Sequence, residues 1–249
     1  KNTKNIEKIA VKTKAPKSAK SATSTKTAQT KKAKKALQIA KLRAPESWKE
    51  TEELVLASSA ALVLGQEDGQ TYFQKKANQV VPIASVTKLM TAMVVLDAHP
   101  DLAANIVIAD DDIDYLRGSR SRLSVGTNLP RETALLLALM SSENRAANAL
   151  ARHYPGGMNA FIPAMNAKAL ALGMKNTHFY DPTGLTDKNV STAHDLARMV
   201  AAAHRYPLIR EFSTSSDHTL INENGHETVY RNTNPLVNSS DWEVGVSKT

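Results

Sequence analysis

The chain has 249 residues, of which 42% are hydrophobic, and a formal net charge of +8 at pH 7. This length is enough for one sizeable core with additional segments. The absence of cysteine excludes disulfide bonds and thiolate metal sites. No apolar run approaches the roughly 20 residues that a membrane-spanning helix requires.

The positive charge is concentrated in the first 43 residues, which hold 13 lysines and Arg43 against Glu7 alone. Their net charge is +13, whereas the rest of the chain carries −5. The low-complexity Lys, Ala, Ser and Thr composition predicts a disordered tail over residues 1–45 and a folded domain over 46–249. The tail fits either a solvated linker or a tether to polyanions or an anionic membrane surface. No aromatic residue lies among its lysines, so nucleic-acid binding is not expected.

The folded part opens with two apolar segments that flank Asp68-Gly69 and predict a β-hairpin. An almost entirely apolar helix is then expected from Ser85 to about Ala98, because Pro100 stops it. Residues 105–129 indicate short strands and loops. Within them, the acidic run from Asp110 to Asp114 lacks the glycine and final glutamate of a calcium loop, which favours a solvated turn.

The second half of the chain alternates helical patterns with short polar connections. Helices are predicted over residues 131–140, 144–154, 156–174 and 189–207. Thr192 and Asp195 have the spacing of a capping box at the start of the last of these helices. Asn224-Gly225 predicts a second hairpin, and the alternation in residues 242–249 predicts a final strand. Strands at both ends with helices between them indicate an α+β fold, in which an antiparallel sheet packs against a helical region.

Ser85 and Lys88 form the only Ser-x-x-Lys sequence in the chain. Residues three apart share one face of a helix, so the hydroxyl and the amine can meet. Burial lowers the pKa of a lysine toward a neutral amine that can take a serine proton. Taken alone, the pair also fits an N-cap serine followed by a lysine whose amine reaches solvent.

Two further motifs follow along the chain. Ser142 and Asn144 form the only Ser-x-Asn, in the connection between two predicted helices, where an ordinary helix N-cap is the alternative. Lys248 and Thr249 form a Lys-Thr pair on the last predicted strand. The three motifs, in this order, match the Ser-x-x-Lys, Ser-x-Asn and Lys-Thr-Gly set of penicillin-interacting serine enzymes.

Longer segments carry a resemblance to a known family: PIASVTKLMTAMVVLDA, LLLALMSSENRAANALARHYPGG, AMNAKALALGM, DPTGL, NVSTAHDLARM, YPLI and RNTN. From about Leu54 onward, the chain resembles low-molecular-mass penicillin-binding proteins of the D-alanyl-D-alanine carboxypeptidase type. Among them it is most similar to the D-alanyl-D-alanine endopeptidases. The resemblance implies a β-lactamase/transpeptidase-like fold and a periplasmic serine D,D-peptidase that needs no cofactor and no metal. Its partners would be peptidoglycan peptides, cleaved at D-alanyl–diaminopimelate cross-links through an acyl-enzyme, and β-lactams as acylating inhibitors.

The resemblance also implies the catalytic roles. Ser85 would be the acylated nucleophile and Lys88 its general base, an assignment that is disputed within this superfamily. Ser142 would relay a proton to the leaving amine.

The remaining motif residues would bind substrate. Asn144 would hold a peptide carbonyl or side chain of the substrate. Lys248 would lower the cost of charge near Ser142 and attract a substrate carboxylate, and Thr249 would hydrogen-bond the acyl donor. In the family, a glycine, an oxyanion-hole N–H and further strands follow this pair, whereas Thr249 is the last residue here. Because one oxyanion donor contributes about 10²–10³ in rate, we expect a weakly active copy whose C-terminal strands are missing.

Three alternatives remain open from the sequence. A D-alanyl-D-alanine carboxypeptidase would use the same named residues. A class A β-lactamase would also need a glutamate, usually within Glu-x-x-Leu-Asn, and that string does not occur in the chain. A non-catalytic protein that binds cell wall or polyanions through the +13 tail is the third alternative.

Overall fold

The computed structural model describes residues 56–115, 118, 121–221 and 225–249. Six α-helices lie in these residues: α1 Thr87–Asp97, α2 Arg131–Met140, α3 Asn144–Arg152, α4 Gly157–Ala171, α5 Ala193–Ala203 and α6 Pro207–Thr214. In this part of the chain, no helix has both the length and the hydropathy that crossing a membrane requires. The predicted basic tail lies outside the described residues, so the tail and its boundary with the domain stay predictions.

The strands in the described residues form four separate antiparallel pairs: β1 Ala61–Leu64 with β2 Thr71–Lys75, β3 Val81–Pro82 with β6 Val190–Ser191, β4 Asn105–Val107 with β5 Asn128–Pro130, and β7 Asp217–Ile221 with β8 Glu227–Arg231. Helices combined with antiparallel strands confirm the predicted α+β class. The single antiparallel sheet that we expected is divided, because no described strand joins one pair to the next.

Both predicted hairpins are present. β1 and β2 pair from Ala61 opposite Lys75, and the Asp68 side chain accepts a hydrogen bond from the Gln70 N–H at 2.9 Å inside the turn. β7 and β8 pair from Asp217 opposite Arg231, with Asn224 outside the described residues. The shorter β3–β6 pair joins the segment that enters α1 to the segment that enters α5. That pair therefore fixes the start of α1 against a distant part of the chain.

Helix α1 is the centre of the helical region. It packs against all five other helices, and every residue from Thr87 to Val95 is buried. A helix that is apolar on every side is stable only in such a position. The expected start at Ser85 is displaced, because Ala84 to Val86 form a 3-10 turn and the α-helix begins at Thr87. Ala84 has φ +45°, outside the right-handed helical range, so regular α-helix cannot begin there.

The four later predicted helices are confirmed, the last of them as α5, and Pro207 opens a further helix, α6, that the sequence patterns did not predict. At the start of α5, the Thr192 Oγ1 accepts a hydrogen bond from the Asp195 N–H at 3.2 Å, as the capping box predicts. The Asp195 carboxylate instead accepts hydrogen bonds from the Asn176 N–H and the Thr177 hydroxyl. Asp195 therefore connects α5 to the segment after α4.

The strand predicted over residues 242–249 is wrong. The structure has no regular secondary structure there, and no described strand pairs with this segment. Alternating residues indicate which side chains share a face, but a strand also needs a neighbouring backbone. Here the Ser247 N–H donates to the Ser213 side-chain hydroxyl at 3.2 Å, and the Asn234 amide donates to the Ser247 hydroxyl at 3.0 Å.

The acidic run Asp110–Asp114 is not simply a solvated turn. Asp112 is 1% exposed, and its Oδ2 lies 2.8 Å from the Arg152 Nη2 and accepts a hydrogen bond from the Ala109 N–H. This hydrogen-bonded ion pair raises the pKa of the Arg152 guanidinium and fixes the acidic turn to α3. Charge patterning alone missed it, because only one carboxylate of the run is buried.

Replacing Asp112 with alanine should lower the free energy of unfolding by roughly 3 kcal/mol, since a buried ion pair that loses one partner leaves the other charge uncompensated. Urea denaturation measures this loss. Asp111→Ala is the matched control, because Asp111 is exposed and its loss should change stability by less than about 0.5 kcal/mol. Equal losses in the two variants would contradict the assignment of a structural role to the Asp112–Arg152 pair.

Candidate active site

The structure brings Ser85 and Lys88 together. Ser85 is half-buried in the 3-10 turn, and Lys88 is the second residue of α1. The Lys88 Nζ lies 3.0 Å from the Ser85 Oγ. Neither the 3-10 turn nor α1 has a side-chain cap, so Ser85 is not an N-cap serine. Lys88 is 1% exposed, so its amine does not reach solvent either.

Two further oxygen atoms accept hydrogen bonds from the Lys88 amine. The Asn144 Oδ1 lies 2.7 Å from Nζ, and the backbone oxygen of Thr183 lies 2.8 Å away. Asn144 is the first residue of α3, and Thr183 lies in the connection between α4 and β6. Three separate segments therefore meet at one nitrogen. Three acceptors match the three N–H groups of an ammonium and offset part of the cost of burying it.

The chemistry of these acceptors determines which proton Lys88 can take. A neutral lysine amine has two N–H groups and one lone pair. The Thr183 carbonyl can only accept, and the Asn144 Oδ1 is likewise an acceptor, so both require an N–H. The Ser85 hydroxyl can also donate. When Lys88 is neutral, its lone pair is therefore directed at the Ser85 O–H, which is the arrangement that general-base activation of a serine needs.

Burial lowers the pKa of the Lys88 amine from 10.5 to about 8, while the charges of Asp181 and Glu143 act in the opposite direction. Desolvation disfavours the ammonium because no bulk water surrounds it. At pH 8 about half of the Lys88 amines are neutral, compared with well under 1% for an exposed lysine. A lysine amine with this pKa is chemically able to act as a base near neutral pH.

Unusual backbone angles occur beside Ser85 and at Ser142. Ala84, which precedes Ser85, has φ +45°, and Ser142 has φ +61°. Non-glycine residues rarely adopt this region, and such residues concentrate at functional sites. Two of the four non-glycine residues with positive φ in the described ranges lie at this site, and the other two are Lys76 and His99.

The connection over residues 181–186 is built around the Asp181 carboxylate. Its Oδ1 accepts hydrogen bonds from the backbone N–H groups of Thr183 and Gly184, both at 2.6 Å, and from the Thr183 hydroxyl at 2.8 Å. Its Oδ2 accepts from the Thr186 N–H at 2.9 Å. This tight turn directs the Thr183 carbonyl at Lys88.

Gly184 packs directly on the peptide group before Ser85. A β-carbon at Gly184 would lie 1.8 Å from the backbone oxygen of Ala84, and Gly184 has φ +84°. Asn189 holds the same loop on α1, because its amide donates to the Thr87 hydroxyl at 3.1 Å and to the Asp181 carbonyl at 2.9 Å. The backbone around the serine is therefore fixed from the side of this loop.

Sequence reasoning assigned no roles to the residues that build this loop: Asp181, Thr183, Gly184 and Asn189. They act through backbone atoms and through a buried carboxylate and amide. The Asp-Pro-Thr-Gly sequence is a recognisable turn pattern. It could have predicted the turn, but the pattern contains nothing that indicates contact with Lys88.

Ser142 lies between α2 and α3, and its hydroxyl is 3.4 Å from the backbone oxygen of Thr249. Among the described residues, this hydroxyl makes no hydrogen bond to Ser85 or Lys88. The N-cap residue of α3 is Glu143, with no side-chain cap, so Ser142 is not a helix N-cap. Ser142 thus lies beside Thr249 of the Lys-Thr motif, whereas Asn144 contacts Lys88 of the Ser-x-x-Lys motif.

Lys248 and Thr249 lie beside the Ser142 loop. The Lys248 Nζ donates to the backbone oxygen of Thr249 at 3.0 Å, and the Thr249 hydroxyl donates to the Thr233 hydroxyl. Burial, followed by the charge of Lys88, lowers the pKa of Lys248 to about 7. The charge of Lys88 therefore disfavours a second positive charge at Lys248. No cluster of metal-ligating side chains lies in the part of the chain that the structure describes.

Comparison with known proteins identifies the family of the chain. The family described as D-alanyl-D-alanine carboxypeptidase matches residues 47–249. The chain belongs to this family. A D-alanyl-D-alanine endopeptidase of Pseudomonas aeruginosa is 51% identical over 195 residues, which are 78% of this chain and 63% of that protein. An endopeptidase of Escherichia coli is 43% identical over 212 residues, which are 85% of this chain and 67% of that protein.

Solved structures of the same kind share the fold. A Streptomyces DD-transpeptidase superposes with a TM-score of 0.69 at 28% identity, covering 76% of this chain and 79% of that one. A penicillin-binding protein homologue from Mycobacterium tuberculosis gives a TM-score of 0.64 at 29% identity, covering 72% and 68%. These similarities confirm the β-lactamase/transpeptidase-like fold that the sequence resemblance implies.

Gly184→Ala should reduce the rate of acylation by a β-lactam on the order of 10²-fold, because the added methyl group displaces the peptide between Ala84 and Ser85. Stopped-flow measurement with a chromogenic cephalosporin gives the rate. Gly126→Ala is the matched control: Gly126 has φ +86° with nothing within 4 Å of an added β-carbon. If both variants lose the same activity, backbone strain and not the contact with Ala84 explains the effect.

Proposed function

We propose that this chain is a periplasmic serine D,D-peptidase of peptidoglycan, with Ser85 as nucleophile and Lys88 as general base. The observation that carries this proposal is the buried Lys88 amine, 3.0 Å from the Ser85 hydroxyl and with a pKa of about 8. Family membership supports the same reaction class. The expected substrates are peptidoglycan peptides, and the expected inhibitors are β-lactams.

Acylation begins with proton transfer. The neutral Lys88 amine takes the Ser85 proton while the Ser85 oxygen attacks the carbonyl carbon of a D-alanyl peptide bond. The C–N bond then breaks, and the leaving amine needs a proton. In this proposal Ser142 relays to the leaving nitrogen the proton that Lys88 took from Ser85, which returns Lys88 to its neutral form. The product is an ester between Ser85 and the substrate's D-alanyl group.

Deacylation reverses the proton movements with water as the nucleophile. Lys88 takes a proton from water, the hydroxide oxygen attacks the ester, and Ser85 leaves with a proton. Asn144 orients Lys88 through its side-chain oxygen, and in this proposal its side chain also holds a substrate carbonyl. In this proposal the protonated form of Lys248 attracts a substrate carboxylate, and the Thr249 hydroxyl hydrogen-bonds the acyl donor.

Cleavage of D-alanyl–diaminopimelate cross-links is the preferred activity, because the Pseudomonas and Escherichia relatives are both named endopeptidases. Carboxypeptidase release of terminal D-alanine is the second candidate, since the family description and a Bacillus subtilis relative at 29% identity carry that name. Contact of the basic tail with polyanions stays a prediction from composition alone.

Ser85→Ala should abolish the covalent adduct that benzylpenicillin forms, because the acylated oxygen is removed. Intact-protein mass spectrometry of the 249-residue chain measures the adduct. Ser239→Ala is the control, because Ser239 lies in the segment after β8 and accepts a hydrogen bond only within its own turn. An adduct that persists in Ser85→Ala would refute the nucleophile assignment, and rapid hydrolysis of the penicillin would favour a β-lactamase.

Bond preference can be tested with purified muropeptides. We expect a cross-linked tetrapeptide dimer to be converted to monomers at least 10-fold faster than a pentapeptide monomer loses its terminal D-alanine. Chromatographic separation of the products measures both rates in the same mixture. The opposite order of rates would replace the endopeptidase assignment with the carboxypeptidase one, and Ser85→Ala provides the blank for both reactions.

A further inference from the structure

Thr91 is a buried threonine on α1 that belongs to none of the three motifs. It lies three residues after Lys88, so the two side chains share one face of the helix. Thr91 is 1% exposed. A threonine inside a helix commonly donates its hydroxyl proton to a carbonyl of the preceding turn. The Thr91 Oγ1 instead donates to the backbone oxygen of Pro182 at 2.7 Å, 91 residues further along the chain.

This hydroxyl holds one end of the peptide group between Pro182 and Thr183. At the other end, the Thr183 N–H donates to the Asp181 Oδ1 at 2.6 Å. A peptide group is planar, and in the trans form its oxygen and its N–H point in opposite directions. Two hydrogen bonds at opposite ends therefore fix this plane between α1 and the Asp181 carboxylate. Pro182 and Thr183 are both buried, so bulk water does not replace a lost donor.

The next peptide group carries the oxygen that Lys88 binds. The Thr183 oxygen accepts a hydrogen bond from the Lys88 Nζ at 2.8 Å, and the Gly184 N–H donates to the same Asp181 oxygen at 2.6 Å. The two peptide groups meet at the Thr183 α-carbon, so the orientation of the first restricts that of the second. One turn of α1 thus binds both groups, the first through Thr91 and the second through Lys88.

We propose that Thr91 is a positioning residue, whose hydroxyl directs the Thr183 carbonyl at Lys88 through the peptide group that it holds. This inference rests on the proposed role of Lys88 as general base. The Thr183 carbonyl can only accept, so it binds an N–H of the neutral amine and leaves the lone pair directed at Ser85. If that carbonyl turns away, the amine can rotate, and in fewer molecules does the lone pair meet the Ser85 hydroxyl.

Thr91→Val removes the hydroxyl and nearly preserves the shape of the side chain. We expect the first-order rate constant for acylation by a chromogenic cephalosporin to fall about 10-fold, because Asp181 still holds the loop and a full 1 Å displacement would cost on the order of 10²-fold. The dissociation constant of the non-covalent complex should change by less than about 2-fold, since the buried Thr91 side chain does not face the ligand. Stopped-flow rates over a range of cephalosporin concentrations give both constants.

Thr91→Ser provides the rescue, because it retains the hydroxyl and loses only a methyl group. Its acylation rate constant should stay within about 3-fold of that of the unmodified chain. Thr91→Ala removes both groups, so the ratio between the serine and alanine variants isolates the hydroxyl if the valine variant does not fold. A serine variant as slow as the alanine variant would overturn the inference.

A second measurement observes the Thr183 carbonyl without using activity. Thr183-Gly184 is the only Thr-Gly sequence in the chain, so protein labelled with ¹³C-carbonyl threonine and ¹⁵N-glycine gives one cross-peak that joins the two nuclei. Loss of the hydrogen bond from Lys88 moves the carbonyl ¹³C resonance upfield. We expect this movement in Thr91→Val and the original position in Thr91→Ser. An unchanged resonance in Thr91→Val would show that the hydroxyl does not direct this carbonyl.

Thr177→Val is the matched control, because it makes the same chemical change at another threonine hydroxyl that binds a buried group. The Thr177 Oγ1 lies 3.0 Å from the Asp195 Oδ2, and Asp195 is 2% exposed. This variant should lose stability, while the Thr183 resonance and the acylation rate constant stay unchanged. If acylation falls equally in Thr177→Val and Thr91→Val, general loss of stability explains the effect, and the inference is wrong.

Failure of the proposed function would give a different pattern. The unmodified chain would then form no penicillin adduct, while the Thr183 resonance would still show whether the Thr91 hydroxyl directs the carbonyl. If the chain is acylated and the resonance moves in Thr91→Val without any change in the acylation rate constant, the reaction does not need this carbonyl, and Thr91 is not a positioning residue.

Discussion

The site depends on one buried amine. Lys88 is 1% exposed, and its three hydrogen-bond partners come from a 3-10 turn, the start of α3 and the loop before β6. Burying an ammonium costs several kcal/mol unless its N–H groups are satisfied. If one of these three segments moves, the Lys88 ammonium loses a hydrogen-bond acceptor and that acceptor loses its N–H donor. Because α1 contacts every other helix in the described part of the chain, the core and the site stabilise each other.

Local signals predicted most of the fold. The helices other than α6 followed from apolar periodicity and from the Thr192 cap, and the hairpins followed from turn residues, because each of these signals lies within a few residues of the element that it specifies. Residues 242–249 were predicted wrongly for the opposite reason. The alternation of apolar and polar residues shows only which side chains of this segment share a face, whereas a strand also needs hydrogen bonds to a neighbouring backbone. The buried Asp112 was missed because its partner, Arg152, is 40 residues away.

The candidate site was predicted in part. Side chains that carry chemistry stand out as motifs, so Ser85, Lys88 and Asn144 could be named before their contacts were known. Glu143 could not, because nothing in a Ser-x-Asn pattern indicates whether the central residue is buried. The Thr183 carbonyl could not be predicted either, since every residue has one. Which carbonyl points at a distant lysine depends on the folded path of the chain.

The 181–186 loop shows how such a contact is specified. Thr183 contributes a backbone oxygen to Lys88, an atom that is independent of its side chain. The direction of that oxygen instead depends on Asp181, which binds the backbone of the turn, and on Gly184, where any β-carbon would collide with Ala84. Asp181 and Gly184 do not contact Lys88, yet replacing either would disturb this contact more than replacing Thr183, which contributes only its backbone oxygen. The loop fixes the amine in space, and burial, opposed by the charges of Asp181 and Glu143, lowers its pKa to about 8.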